Sequence, residues 1–244
     1  MESTVFSKKL KQFTGISHAF FGKKHGNCSR YAADEKSHAN KNLEIAKKFI
    51  GASKIITLKQ THSNICIEIT KNSESDVEAD AMVTNIKSIA IGILTADCAP
   101  ILFYDPEENV VGAAHAGWRG AVSGIIESTV RKMESFDSNP KNIIAAIGPC
   151  IGKNNYEIDE EFMRNFQGKG DCFCLLNRKM HFDLSKFCCK KLIECGLQEE
   201  NIDALNIDTY ADNENYFSYR FATKNHDGIC GRQISMICLE GSIA

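Results

Sequence analysis

Strand-like apolar stretches follow one another along this chain with only short polar turns between several of them, and this spacing constrains the fold most. The turn "DPEEN" separates the stretches around residues 100–105 and 109–116, and "THS" separates 54–60 from 64–70. A parallel pair of strands needs a crossover of a dozen or more residues, so much of the sheet must be antiparallel or mixed. We therefore predict an α+β layered fold, with mixed and largely antiparallel sheets flanked by helices, rather than a doubly wound fold.

The period of the apolar residues locates the remaining elements. In "GWRGAVSGIIESTVRKMESF" (117–136) the apolar residues fall on one helical face, which predicts a single helix. No low-complexity tract or Gly/Ser linker marks a boundary, so we expect residues 1–244 to form one domain. The predicted strands are 54–60, 64–70, 88–96, 100–105, 109–116, 142–148 and 232–240, and the predicted helices lie near 38–50, 117–136, 159–166 and 184–195.

Composition and charge narrow the class of protein. The formal net charge of −2 gives no electrostatic reason to expect nucleic acid or a membrane surface as a partner. No apolar run approaches the length of a membrane span, and "MESTVFSKKLKQF" lacks the apolar core of a signal peptide, so we expect a cytoplasmic location. The eleven cysteines are odd in number and contain no Cys-x-x-Cys pair, which favours reduced thiols over disulfides or a zinc ribbon.

The stretch "VGAAHAGWRGAV" (111–122) surrounds a histidine with very small residues. A strand that only had to be buried would use bulkier side chains, because β-branched and aromatic residues fill a pleated surface better. Glycine within a strand often marks a place where a ligand or another backbone comes close. We therefore expect Gly112 to Ala114 to let a ligand approach His115.

Three residues with chemical potential stand where predicted strands end. His62 follows "TLKQT", Cys98 follows "GILTAD", and His115 ends "VVGAA". The separations are 98 − 62 = 36 and 115 − 98 = 17 residues, too long for a local finger, but a sheet can bring strand ends together. Two histidines and one cysteine form the three-ligand set of a catalytic zinc site. The same residues also suit a cysteine nucleophile with a histidine base, and each alone is compatible with an ordinary structural role.

Several longer motifs occur in an order that resembles the YfiH/YlmD family, also known as laccase-domain or multicopper polyphenol oxidase proteins, which includes purine nucleoside phosphorylases. The similarity extends from about residue 18 to residue 240. The motifs are "LKQTH", "ADAMVTN", "LTADCAPILFYDP", "VGAAHAGWRGAV", "IGPCIGKNNYEI", "FDL", "YFSYR" and "GICGRQISMICL".

This resemblance implies a single layered α/β domain that binds zinc through His62, Cys98 and His115, with copper as a less favoured metal. It implies phosphorolysis of adenosine, inosine and guanosine, with deamination of adenosine as a further activity. The implied partners are a purine nucleoside and phosphate, with no nucleic acid and no membrane. A zinc ion of this kind acts as a Lewis acid and lowers the pKa of its bound water.

Five further residues are candidates for binding substrate. Gln60 and Asp97 lie beside ligands in the sequence and suit either substrate binding or orientation of an imidazole, while Asp97 can equally cap a turn. Arg119 follows the predicted helix start, where free backbone N–H groups favour an anion such as phosphate; its alternative is a solvated arginine. Arg220 and Arg232 match basic positions of the family, and pairing with carboxylates is the alternative for both.

The chain departs from the family pattern at three places. Where members carry an Asn-Arg pair, this chain has Asn42-Leu43, which puts substrate affinity or identity in doubt if that arginine holds phosphate or nucleoside. The usual second arginine after "SYR" is Phe221, and a common Cys-Thr is Asp208-Thr209.

Alternative functions use the same residues. A metal-free Cys98–His115 hydrolase or deamidase and a non-catalytic nucleoside or metal sensor both stay open. A laccase is disfavoured, because its copper cluster is built largely from His-x-His pairs and no two of the seven histidines are separated by one residue.

Overall fold

The structure of the protein is a computed structural model that describes residues 3–31, 36–166, 170–225 and 228–241. The predicted domain over 1–244 extends beyond these ranges and stays a prediction. Within them the fold is α+β, with mixed sheets between layers of helices, as the sequence predicts. Seven of the ten strand pairs are antiparallel and three are parallel.

The largest sheet within the described residues has six strands. Its spatial order is β12-β8-β6-β7-β4-β3. The turn after Asp105 closes an antiparallel hairpin in which Pro100 lies opposite His115. The strands are β3 Cys66–Glu68, β4 Ala81–Thr84, β6 Ala99–Asp105, β7 Val110–Ala116, β8 Ile144–Ile147 and β12 Ile202–Ala204.

A four-stranded sheet packs against it in the order β1-β13-β5-β2. Because β2 belongs to this sheet and β3 to the other, the "THS" segment joins two sheets rather than closing a hairpin. The strands are β1 Ile16–Phe20, β2 Lys54–Thr57, β5 Ile89–Thr95 and β13 Gln233–Leu239. A separate three-stranded sheet contains β9 Glu157–Ile158, β10 Phe173–Leu176 and β11 Lys179–Phe182.

The main core lies between the two larger sheets. Phe20, Ile91 and Ile237 of the four-stranded sheet meet Leu102 and Val111 of the six-stranded sheet, and all five are fully buried. Burying a side chain of this size contributes about 1.5–3 kcal/mol. The outer face of the six-stranded sheet is covered by helices α3 (Ile125–Glu134) and α5 (Leu184–Glu194), and that of the four-stranded sheet by helix α1 (Lys36–Ile50). The order of layers is therefore helix, sheet, sheet, helix.

The helices differ from the sequence predictions in three respects. Residues 117–136 form two helices, because Gly124 adopts a left-handed conformation with φ 98° and ends the first of them. The helix predicted at 159–166 is only one turn long, and a helix near residue 220 was not predicted. The helices are α1 Lys36–Ile50, α2 Trp118–Ser123, α3 Ile125–Glu134, α4 Glu160–Met163, α5 Leu184–Glu194 and α6 Tyr219–Asn225.

Across the described ranges, none of the helices combines the length and the apolar character needed to cross a membrane. All eleven cysteines are free thiols.

Candidate active site

The structure brings His62, Cys98 and His115 together at the edge where the two large sheets meet. His62 lies in the segment from β2 to β3, Cys98 lies in the turn from β5 to β6, and His115 is near the end of β7. One nitrogen or sulfur atom of each lies within 4.8 Å of the other two, and Cys98 Sγ is 3.7 Å from His62 Nε2. The span of 4.8 Å across the three atoms is wider than the roughly 4 Å that zinc bonds of about 2.0–2.3 Å suggest.

Asp80 fixes the orientation of His115. The Nδ1 atom of His115 is 2.8 Å from Asp80 Oδ1, and both side chains are buried. With Nδ1 as the donor to this carboxylate, the other ring nitrogen, Nε2, is left to face the cluster as an acceptor or a metal ligand. Carboxylate partners of this kind set the tautomer and the orientation of metal-binding histidines.

The same carboxylate holds the turn that carries His62. Asp80 Oδ1 accepts a hydrogen bond from the His62 backbone N–H (2.9 Å), and Oδ2 accepts from the N–H and hydroxyl of Ser63 and the N–H of Thr61. His62 has a φ of 61°, a conformation that costs about 1–2 kcal/mol for a residue with a Cβ. Asp80 therefore stabilises both histidines at once.

Asp80 is a functional residue that the sequence analysis missed. It stands in "ADAMVTN", directly before the fully buried strand β4, and is itself 0% exposed. A charged side chain almost never enters a core without partners. This position, an aspartate between two alanines at the start of an apolar strand, was the signal that could have identified it.

Charges within the cluster shift the pKa values of three groups. Burial raises the pKa of the Cys98 thiol, but His115 and His62 outweigh burial and lower it. Burial lowers the pKa of His115, while the Cys98 thiolate and Asp80 raise it to a greater extent. Burial also raises the pKa of Asp80, and hydrogen bonds from His115 and Ser63 bring it well below its usual range. Without a metal, the cluster thus favours a Cys98 thiolate beside a protonated His115.

Small residues matter here at Gly117 rather than at Gly112. A Cβ on Gly117 would lie 2.7 Å from His62 Cδ2 and 2.9 Å from Cys98 Sγ. A Cβ on Gly112 would instead meet Phe103 at 3.3 Å and the sulfur of Met133 at 3.4 Å, inside the core. The expectation that Gly112 to Ala114 open a path to His115 is therefore wrong at Gly112, because that glycine lets β7 pack closely against β6 and α3.

The cluster opens into a cavity of about 630 Å³. This volume is in the range of small-molecule sites, about 300–1,000 Å³. Within the described part of the chain its lining contains one lysine, two arginines and two histidines, and no carboxylate. The lining residues are Ser29, Tyr31, Leu58, Lys59, Gln60, His62, Leu94, Thr95, Ala96, Cys98, His115, Arg119, Tyr219 and Arg232.

The two arginines of this cavity lie against aromatic rings. The guanidinium carbon of Arg119 is 4.9 Å from the Trp118 ring centre, and that of Arg232 is 5.7 Å from the Tyr219 ring centre. Arg232 also donates to the Cys230 carbonyl at 2.8 Å, whereas Arg119 makes no hydrogen bond to any residue that the structure describes. Arg119 is therefore available to an anion.

Gln60 and Asp97 have strong partners within the protein. The Gln60 amide donates to the Leu94 carbonyl at 2.7 Å and accepts from the Leu94 N–H at 2.8 Å. Asp97 does not line the main cavity; it accepts hydrogen bonds from the Thr209 hydroxyl and the Arg220 N–H, both at 2.7 Å. The side chain of Asp97 therefore holds the start of α6, and not the turn that directly follows Asp97 as the capping alternative expected.

Arg220 lies outside the main cavity. It donates to the carbonyls of Asn155 and Glu157 and lies over the Tyr156 ring at 4.9 Å. It lines a neighbouring cavity of about 360 Å³, which has Arg119 in its wall as well. The structure therefore brings Gln60, Arg119 and Arg232 to the main cavity and leaves Asp97 and Arg220 outside it, and substrate contacts of all five stay predictions.

The departures from the family pattern have structural accounts at all three positions. Leu43 is buried in the apolar cluster under α1, so this position contributes packing and no charge. Asp208, which stands where the family has a cysteine, accepts hydrogen bonds from the Asn155 amide at 2.7 Å and the Tyr210 N–H at 2.9 Å. Phe221 packs against the Tyr210 ring at 5.7 Å.

Comparisons with known proteins agree with this architecture. A family model described as "Multi-copper polyphenol oxidoreductase laccase" matches residues 6–240. The purine nucleoside phosphorylase YfiH of Escherichia coli is 32% identical over 221 residues, covering 87% of this chain and 86% of that protein. A purine nucleoside phosphorylase of Rickettsia prowazekii is 31% identical over 216 residues, covering 84% and 88%.

Solved structures show the same fold. The hypothetical protein YfiH of Bacillus licheniformis matches with a TM-score of 0.89 at 24% identity, covering 98% of this chain and 97% of that one. YlmD from Geobacillus stearothermophilus matches with a TM-score of 0.85 at 22% identity, covering 94% and 93%. The family resemblance seen in the sequence is confirmed, and the chain belongs to the YfiH family, which the laccase family model describes.

Proposed function

We propose that this protein is a zinc-dependent purine nucleoside phosphorylase that converts adenosine, inosine or guanosine and phosphate into the free base and ribose 1-phosphate. The observation that carries the proposal is the convergence of His62, Cys98 and His115 within 4.8 Å at a cavity of about 630 Å³. Relatives above 30% identity that bear the name purine nucleoside phosphorylase support the choice of reaction.

The donor set fits zinc. One thiolate and two imidazoles match the ligands of catalytic zinc sites, which keep a further position open. Asp80 supplies the carboxylate that such histidines require on their other nitrogen. His62, Cys98 and His115 would hold the ion, which when bound supplies a Lewis acid beside the substrate.

Two arginines of the chain can bind the phosphate. In phosphorolysis a phosphate oxygen bonds to the ribose C1′ while the bond from C1′ to the base breaks, and the base takes up a proton. Arg119 and Arg232 line the cavity and can pair with phosphate oxygens through the planar guanidinium group. Because no carboxylate is among the described lining residues, the positive charge of Arg119 and Arg232 is not neutralised within the cavity.

The test is an assay with adenosine, with and without phosphate, that measures adenine, inosine and ribose 1-phosphate. We expect adenine and ribose 1-phosphate only when phosphate is present, loss of both on chelation and recovery on addition of zinc. Inosine formed from adenosine would add the deaminase activity. Cys98→Ala should lose zinc and turnover together, whereas Cys174→Ala, in the three-stranded sheet, should retain both. Full activity in metal-free protein would refute the zinc mechanism.

A metal-free Cys98–His115 hydrolase or deamidase is the second candidate. Its support is the lowered pKa of Cys98 beside a protonated His115, which is the state of an activated cysteine nucleophile. Under this alternative Cys98→Ala abolishes turnover without changing the metal content, and chelators have no effect on the wild type.

Metal analysis of freshly purified protein decides between zinc and copper, since the same donors bind both. A protein that binds adenosine and zinc without turnover would be the non-catalytic sensor. We also propose a cytoplasmic location, which the eleven free thiols support.

A further inference from the structure

Thr95 is the last residue of β5 and lines the main cavity three positions before Cys98. The residue is only 1% exposed, and its hydroxyl has no hydrogen-bond partner in the part of the chain that the structure describes. Among the described residues, three other buried side chains carry an unpartnered polar atom, Asp105, Glu127 and Ser138, and none of them lines this cavity. The unpartnered hydroxyl at the cavity wall is therefore distinctive.

The neighbouring polar side chains do not supply a partner. Gln60 uses both ends of its amide on the backbone of Leu94. Gln233, which lies opposite Thr95 on β13, uses both ends of its amide on the backbone of Phe217. A buried hydroxyl without a partner has lost its bonds to water and destabilises the fold. Valine has nearly the same shape and has no hydroxyl that loses its hydrogen bonds on burial. We therefore expect the Thr95 hydroxyl to have a hydrogen-bond partner that is not part of the chain.

We propose that the Thr95 hydroxyl binds the substrate by a hydrogen bond to a polar group of the nucleoside, an inference that rests on the proposed nucleoside site. Thr95 is one of the residues that line the cavity, and its hydroxyl is buried behind the wall. A threonine exchanges the positions of its hydroxyl and methyl groups by rotation between staggered χ1 rotamers, so the contact needs no backbone movement. Thr95 is then a binding residue that favours ligands with a hydrogen-bonding group at this point.

The experiment compares Thr95→Val and Thr95→Ser with a matched control in the zinc-loaded full-length protein. Thr84→Val is the control, because Thr84 is a buried strand threonine whose hydroxyl donates to the Ile69 carbonyl at 2.8 Å, away from the cavity. Adenosine binding is measured by calorimetry, the unfolding midpoint by thermal denaturation and the zinc content by metal analysis.

Thr95→Val should weaken adenosine binding about tenfold, as loss of one hydrogen bond does, while its zinc content is unchanged and its midpoint is equal to that of the wild type or about 2 °C higher. Thr95→Ser retains the hydroxyl and should bind within about threefold of the wild type. Thr84→Val should lower the midpoint and leave adenosine binding unchanged, because it breaks a hydrogen bond inside the protein.

The inference is overturned if Thr95→Val binds adenosine as tightly as the wild type, or if the wild type does not bind adenosine. A fall in midpoint as large as that of Thr84→Val also overturns it, since the hydroxyl would then have a partner within the fold. Turnover separates this inference from the proposed function. If the wild type turns adenosine over and Thr95→Val binds adenosine as tightly as the wild type, only the role of Thr95 is refuted. If Thr95→Val weakens adenosine binding but the wild type shows no turnover, only the proposed phosphorylase activity is refuted.

Discussion

Gly117 leaves almost no space beside the proposed metal ligands. Its φ of −70° is ordinary for any residue, so alanine is compatible with the backbone. The new methyl group would nevertheless lie 2.7 Å from the His62 ring and 2.9 Å from the Cys98 sulfur. We expect Gly117→Ala to fold but to bind zinc at least about tenfold more weakly, since misplaced ligands lower metal affinity. A zinc titration measures this.

The control for that variant is Gly170→Ala, because a Cβ there meets nothing within 4 Å. Its zinc affinity should equal that of the wild type. If Gly117→Ala bound zinc as tightly as the wild type, the positions of the His62 and Cys98 side chains seen in the structure would not be needed for zinc binding.

Asp80 gives a second test at the residue scale. Asp80→Asn keeps the size of the side chain but replaces one of the two accepting oxygens by an NH2 group. The N–H and hydroxyl donors around Asp80 then face a donor, and the one remaining oxygen cannot accept all of their hydrogen bonds. We expect about a 10–100-fold loss of zinc affinity and a loss of about 1–3 kcal/mol in the free energy of unfolding. Asp76→Asn removes a nearby carboxylate that pairs with Arg30 and should keep the zinc affinity. An unchanged zinc affinity in Asp80→Asn would contradict the orienting role.

At the scale of elements, the N-terminal segment is docked on β1 through a buried histidine. His18 accepts a hydrogen bond from the Ser7 N–H at 2.9 Å, and the Ser7 hydroxyl donates to Asp203 on the other sheet. Burial lowers the pKa of His18 to about 4, although Ser7 and Asp203 act in the opposite direction. The segment therefore depends on a neutral imidazole.

This predicts a pH-dependent stability. Between the unfolded pKa of about 6.5 and the folded value of about 4 the unfolded chain binds more protons, so stability falls as the pH falls through this window. The loss from this group is about 3 kcal/mol, at about 1.4 kcal/mol for each pKa unit. Chemical denaturation of His18→Gln from pH 7 to pH 4 should show a correspondingly smaller decline in stability than that of the wild type. Equal declines in the two proteins would contradict the assignment.

A comparison of the predicted with the observed strands and helices shows which elements can be predicted from the sequence alone. All seven predicted strands are present, because each lies in an apolar run that the sequence shows. Six described strands, each only two to five residues long, were missed: β1, β4, β9, β10, β11 and β12. They are identified by their pairing partners rather than by their own pattern. The one-helix prediction for 117–136 failed because the apolar period continues across Gly124 while the backbone does not.

The candidate site was predictable to a similar extent. His62, Cys98 and His115 were found because they stand where the sequence predicts strand ends, which is a local signal. The local pattern around Asp80 marks only a carboxylate that enters the core. Its partners, Thr61 to Ser63 and His115, lie far away in the sequence, so the pattern does not show its role. Arg220 matched a family motif, but its direction of contact, toward the Asn155 and Glu157 carbonyls, is set by tertiary packing.

At the scale of the whole molecule, the proposed zinc ligands link the two large sheets. His62 and Cys98 both lie in connections that pass from the four-stranded to the six-stranded sheet, and His115 belongs to the six-stranded sheet. The inner faces of these sheets form one continuous apolar cluster. Neither sheet can lose its structure without exposing the core of the other, so we expect a single cooperative unfolding transition.

Zinc should then stabilise the entire cooperative unit rather than one loop. A ligand that binds only the folded state adds about 2.7 kcal/mol at a free concentration one hundred times its dissociation constant, which corresponds to a rise of about 5–10 °C in the unfolding midpoint for a chain of this length. We expect calorimetry to show one transition that moves upward with zinc and back with a chelator, and no movement in Cys98→Ala. Two transitions, of which only one responds to zinc, would mean that the sheets unfold separately and that the single domain predicted for this chain is wrong.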